Sequence, residues 1–151
     1  MSVVSKTYPQ LALDLQLCFP LYAASRAVTR TYGELLAESG LTYPQYLVML
    51  ALWEADEPMT VGSVGVRLRL DSGTLTPLLK RLESSGHVAR RRDPEDERRV
   101  LLDVTDAGWA LREQVADVPS RLGKAMALSE GELVSLREQL DRLLDHLESA
   151  R

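Results

Sequence analysis

The sequence predicts a mainly α-helical chain with one small β element, and three observations predict it. Apolar or small residues recur at helical spacing at positions 21, 25, 28, 32, 35 and 36. Residues that start or stop helices punctuate the chain at Thr42, Thr60, Asp71, Gly86 and Ser129. Alternation with period two is confined to residues 88–104.

Each element follows from its local chemistry. Pro20 fits the first turn of a helix, where its missing N–H costs no hydrogen bond, and that helix runs to near Gly40. Thr42 caps the next helix, with Pro44 in its first turn and an apolar run through Trp53 that marks it as buried. The tripeptide Glu57, Pro58 and Met59 breaks it. Thr60 then caps a short helix through about Leu68, and Asp71 caps another through Ser85 that Gly86 stops. A charged stretch at 88–92, a turn rich in Asp, Pro and Glu, and a return through Val100, Leu102 and Val104 predict a two-stranded hairpin. Thr105 or Asp106 starts a long helix with a kink expected near Pro119. Ser129 caps a last helix that carries Leu133, Leu136, Leu140, Leu143, Leu144 and Leu147.

At 151 residues the chain reads as a single unit, 1–151. Apolar residues make up 45% and charged residues 26%, a globular balance. The longest apolar run, residues 47–53, is far shorter than the roughly 20 residues that cross a bilayer. The opening MSVVSKTYPQ has no signal-peptide layout. The expectation is a cytoplasmic protein with no membrane partner. One cysteine excludes an internal disulfide. His87 and His146 are too far apart and too poorly accompanied to suggest a metal site, and no cofactor is expected.

The net charge of −4 hides an asymmetry. Residues 67–92 hold seven basic side chains (Arg67, Arg69, Lys80, Arg81, Arg90, Arg91, Arg92) against Asp71 and Glu83, so this segment is +5 and the remainder −9. A basic island in an acidic protein is the electrostatic footprint that phosphate binding requires, although a solvated charged face has the same composition. Two short helices, the second stopped by glycine and followed by a basic hairpin, make a winged helix-turn-helix over 42–105. In that arrangement the second helix enters the major groove. Its exposed start carries Ser72, Gly73, Thr74 and Thr76, with Lys80 and Arg81 a turn later. Hydroxyl residues at such a start also serve as caps, above all Ser72. Arg90 and Arg92 lie on the hairpin. The leucine seam of the last helix suggests a homodimer, with 8–40 and 106–151 as the helical dimerisation region; packing onto its own chain is the alternative.

The segment LDSGTLTPLLKRLESSGHVARRRDPEDERRVLLDVTDAG closely resembles the signature of the MarR family of dimeric winged-helix transcription regulators, and the similar order of helices extends the resemblance over nearly the whole chain. The resemblance implies that Arg98, in the wing sequence DPEDER, reaches into the minor groove of operator DNA and that Asp96 holds it. A plain surface salt bridge between the two is the simpler reading.

Cys18 remains. A single cysteine is by default a small buried hydrophobe. Pro20 nevertheless places it at or just before a helix N-terminus, where the helix dipole favours thiolate, the nucleophilic form. Tyr22, Tyr32 and Tyr43 follow at offsets of 4, 14 and 25. Tyr22 is one turn along the same face. Tyr32 is about 21 Å away along a straight helix and cannot reach its own Cys18. In an antiparallel dimer it reaches that of the other subunit, and Tyr43 follows from the next helix.

This arrangement, with TYPQYLVMLALWE, is similar to the organic hydroperoxide resistance regulator subgroup, one-cysteine type. The resemblance implies that Cys18 is the peroxide-sensing residue and that tyrosines of the other subunit bond to it. With no second cysteine, the oxidised sulfur is captured by a small cellular thiol or a backbone nitrogen, or oxidised further. The expected function is a repressor that leaves its operator when an organic hydroperoxide, entering an apolar pocket lined by Phe19, Leu21 and Trp53, oxidises Cys18. The alternative is a regulator of the same fold that answers to a small phenolic or aromatic ligand, with Cys18 structural. A thiol peroxidase is disfavoured because no strand-rich redox fold or CxxC pair is present, and a protein-binding winged helix because of the +5 segment.

Overall fold

The computed structural model describes residues 6–151; the expectation for the opening sequence therefore falls in part, at Met1–Ser5, outside the described residues. The elements are α1 (Cys18–Leu35), α2 (Tyr43–Glu54), β1 (Met59–Thr60), α3 (Val61–Leu68), α4 (Ser72–Ser84), β2 (Val88–Arg92), β3 (Val100–Val104), α5 (Asp106–Val115), α6 (Val118–Met126) and α7 (Glu130–Ser149). Short 3-10 turns at Pro9–Leu11 and Leu13–Leu15 precede α1, and a third at Ala37–Ser39 leads to Gly40. Gly40 adopts φ +74°, the left-handed conformation that ends the segment at low steric cost.

Caps set most helix starts. At α2 the Thr42 hydroxyl accepts from the Gln45 N–H, and the Gln45 side chain accepts from the Thr42 N–H. The same reciprocal pair joins Ser129 and Glu132 at α7. Thr60 caps α3 through the Ser63 N–H, and Asp71 caps α4 through the Thr74 N–H at 2.7 Å. Gly86, at φ +81°, follows α4 and turns the chain into β2.

Two expectations need correction. The hairpin is part of a three-stranded antiparallel sheet in the order β1-β3-β2, with Met59 opposite Leu102 and Arg90 opposite Leu102 on the other side. A two-residue strand is too short to show alternation. The long helix after Thr105 does not kink at Pro119; it ends at Val115 and restarts as α6. Pro119 has no N–H to give the Val115 carbonyl, and it occupies the first turn of the new helix, where none is needed.

The chain through Val115 forms one compact unit and Ala116–Arg151 a second, so the division falls inside the 106–151 region. The core of the first unit gathers Leu36, Tyr46, Val48, Met49, Leu52, Val64, Leu75, Leu79, Leu82, Val88, Leu102 and Leu111. It unites α2, the buried face of α4 and the inner face of the sheet. Helix α1 has no buried residue, and Leu11, Leu13, Leu15, Leu17, Phe19 and Leu21 around its start are exposed. In the second unit α7 likewise buries nothing, with Leu136, Leu144 and Leu147 exposed.

Candidate functional site

Helices α3 and α4 are joined by a turn of three residues in which Arg69 takes the left-handed conformation, φ 55°. Leu75, Leu79 and Leu82 bury one face of α4. Ser72, Gly73, Thr74, Lys80 and Arg81 are exposed on the rest of it. Among the described residues Lys80 and Arg81 make no ion pair. The hydroxyl groups differ in their duties: Thr76 donates to the Ser72 carbonyl at 2.7 Å, and Thr74 gives its backbone N–H to Asp71. Asp71 rather than Ser72 is the cap, and its bonds to Thr74 hold the carboxyl below the usual range.

The sequence count of +5 overstates the free positive charge. Arg67 pairs with Glu54 at 2.8 Å and Arg91 with Asp103 at 2.6 Å, and both acids lie outside the basic segment. Arg90 pairs with Glu83 at 2.7 Å, and Arg92 donates to the Glu97 carbonyl. At the wing turn Asp96 accepts from the backbone N–H and from Nε of Arg98, and these bonds hold its carboxyl below the usual range. The Arg98 side chain is 91% exposed. The turn is braced from beneath by Asp93, buried to 8% exposure, which accepts from the Glu95 N–H.

Cys18 is the first residue of α1, and it is free and exposed; the default of a buried small hydrophobe does not hold in this chain. Among the described residues no tyrosine hydroxyl bonds to its sulfur. Tyr22 is 62% exposed and lies under the Arg26 guanidinium. Tyr32 sits near the far end of the same unbroken helix. Its ring stacks on Tyr43 of α2, with centroids 4.1 Å apart and planes at 10°, and meets Tyr46 at 5.6 Å and 41°. Burial, then the neighbouring Tyr43 and Tyr46, push the Tyr32 hydroxyl up to about 12; burial also raises Tyr43 and Tyr46. All three remain neutral phenols, able to donate a hydrogen bond, at any physiological pH.

The expected pocket trio is split. Trp53 donates from Nε1 to the Gly108 carbonyl at 3.1 Å, tying α2 to α5. It also lines an open groove of about 470 Å³ with Leu47, Leu50, Ala51, Leu68, Glu54, Arg67 and Arg112. Phe19 and Leu21 are on the first turn of α1, half exposed, and do not line that groove. Sequence reading missed Tyr46, although its spacing of three from Tyr43 puts both rings on one helix face. It also missed the acids that neutralise Arg67 and Arg91, because pairing across 12 or 13 residues leaves no local pattern.

Known proteins share this architecture. Residues 30–115 match the family model described as transcriptional regulator SarA/Rot. The chain is 45% identical to the organic hydroperoxide resistance transcriptional regulator of Bacillus subtilis over 93% of its own length and 95% of that protein's. It is 49% identical to the HTH-type transcriptional regulator TtmR of Methylorubrum extorquens, over 97% and 74%. AbfR of Staphylococcus epidermidis superposes with a TM-score of 0.75 at 42% identity, covering 93% of this chain and 96% of that one. Reduced AbfR bound to DNA gives 0.76 at 42%, covering 91% and 96%. The chain belongs to the winged-helix transcriptional regulators of the SarA/MarR type, and it is a DNA-binding transcriptional regulator.

Proposed function

We propose that this regulator is a homodimeric cytoplasmic repressor that senses organic hydroperoxides through Cys18. The observation that carries the reading is an exposed thiol on the first residue of α1 whose own helix delivers Tyr32, stacked on Tyr43, some 21 Å away. A phenol pair so placed serves a thiol on another copy of the helix. The apolar, unburied faces of α1 and, in the second unit, α7 give a dimer its surface.

In the proposed chemistry the Cys18 thiolate attacks the outer oxygen of the hydroperoxide. The O–O bond breaks, the outer oxygen passes to sulfur with its own proton to give sulfenic acid, and the alkoxide left behind takes a proton from water and leaves as the alcohol. Tyr32 of the partner subunit, held neutral, donates its one hydrogen bond to the thiolate. A small thiol then condenses with the sulfenic acid, giving a mixed disulfide and water. The added group displaces the tyrosines at the dimer junction, and the two α4 helices lose the spacing of about 34 Å that successive half-sites demand. Similarity to the Bacillus hydroperoxide resistance regulator and to AbfR, solved on DNA in reduced and overoxidized forms, supports a redox-sensing role.

On the DNA side, Ser72, Gly73, Thr74 and Thr76 begin the helix that enters the major groove, Lys80 and Arg81 follow, and Arg98, steadied by Asp96, extends from the wing. Arg92 adds a backbone contact, and Arg90 adds another by exchanging Glu83 for a phosphate. Intact-mass analysis after one equivalent of cumene hydroperoxide with a small thiol tests the chemistry. A single thiol adduct on Cys18 is expected; unmodified protein would overturn it.

The groove beside Trp53 favours a second reading, a small aromatic ligand held between apolar α2 side chains and Arg112. PcaV of Streptomyces coelicolor, crystallised with its natural ligand, has a TM-score of 0.80 at 26% identity, over 89% of this chain and 96% of that one. Release of DNA by an aromatic acid from both wild type and Cys18→Ser would favour it.

A further inference from the structure

We propose that Tyr46 is a positioning residue that fixes the Tyr32 phenol for the chemistry at Cys18; this rests on the sensing reading above. Tyr32 is the one member of the cluster on α1, and two rings of α2 hold it. The stack on Tyr43 at 4.1 Å and 10° defines the plane of the Tyr32 ring. A parallel stack leaves the ring free to slide within that plane. Tyr46 meets it at 5.6 Å and 41°, a tilted contact that blocks the slide and so sets where the hydroxyl ends.

Tyr46 is anchored as a clamp must be. It is 2% exposed, and the helix turn that carries it is fixed by the reciprocal bonds between Thr42 and Gln45, with Gln45 itself 6% exposed. Its burial keeps it away from hydroperoxide, so it acts through Tyr32 and not on the reacting atoms. The spacing of three residues places Tyr43 and Tyr46 on one face, where a single side chain from α1 touches both.

The test is the rate of Cys18 oxidation by cumene hydroperoxide in the full-length protein, with operator affinity of the reduced protein measured alongside. Tyr32→Phe should slow oxidation at least about tenfold, the factor a hydrogen bond to a charged group supplies. Tyr46→Met, which fills similar volume without a rigid ring, should slow it by a comparable factor with affinity unchanged. The double variant should be no slower than Tyr32→Phe, because Tyr46 works through Tyr32. Tyr46→Phe keeps the ring and should oxidise within about twofold of wild type; it carries the test if Tyr46→Met does not fold, and a tenfold loss there would overturn the clamp. Slow Tyr32→Phe with wild-type rates in Tyr46→Met, or additive losses in the double variant, would also overturn it and leave the sensing reading standing. Wild-type rates in Tyr32→Phe would overturn both.

Discussion

Asp96 accepts three hydrogen bonds from Arg98, from the backbone N–H at 3.1 Å, from Nε at 3.2 Å and from Nη2 at 3.5 Å, while the arginine side chain stays 91% exposed. One carboxylate thus shapes the wing turn and points the guanidinium outward. Arg98→Ala should weaken operator binding and reduce the slope of log affinity against log salt by about one. Asp96→Ala should weaken binding less, since the guanidinium survives and loses only its orientation. Fluorescence anisotropy across a salt series measures both; equal binding by Arg98→Ala and wild type would contradict the assignment.

Apart from Arg98, whose side chain stays 91% exposed beside Asp96, charges already paired should matter less than charges that are free. Lys80→Ala and Arg81→Ala are each expected to reduce the salt slope by about one. Arg67→Ala and Arg91→Ala should change it little, because Glu54 and Asp103 already compensate these guanidiniums. The same salt series ranks all four.

Gly108 has a steric reason to be glycine. A Cβ there would stand 2.2 Å from the His87 carbonyl oxygen and 2.7 Å from Val104 Cγ1, and the first of these is backbone. Gly108→Ala should cost about 1–3 kcal/mol in a urea melt. Trp53→Phe, which removes the indole N–H bond to the Gly108 carbonyl together with part of the ring, should cost at least about 1 kcal/mol.

Stability should fall at both ends of the pH scale. Asp71, Asp96 and Glu132 are held below the usual carboxylate range by Thr74, Arg98 and Ser129 respectively. The unfolded chain binds protons first on acidification, so their contribution is present above roughly pH 4 and is lost as pH falls through the lower folded values. At the alkaline end Tyr32 keeps its proton to about 12 in the folded protein, so stability drains away between roughly pH 10 and that value. Urea midpoints against pH should decline in both windows. Tyr32→Phe should reduce the alkaline decline, the raised Tyr43 and Tyr46 carrying the rest, and an unchanged alkaline limb would contradict the raised Tyr32.

The elements legible in the sequence are those fixed by local chemistry. Thr42, Thr60, Asp71 and Ser129 each sit where a side-chain oxygen meets a backbone N–H three residues on, and all four cap the predicted helix. Strand β1 was hidden because its partner Leu102 lies more than forty residues away and two residues carry no period. The exposure of Cys18 could not be read from its apolar neighbours Leu15, Leu17, Phe19 and Leu21, which are themselves exposed. The tyrosine spacing was legible, but the contact of Tyr32 with Tyr43 and Tyr46 depends on how α1 packs on α2.

The central claim is that Cys18 converts peroxide into loss of DNA binding. Its most direct test is anisotropy of the protein on DNA from upstream of its own gene, before and after one equivalent of organic hydroperoxide per subunit with a small thiol present. Wild type should release the DNA, and Cys18→Ser should bind it equally well and stay bound. Release of both proteins, or of neither, would contradict the claim.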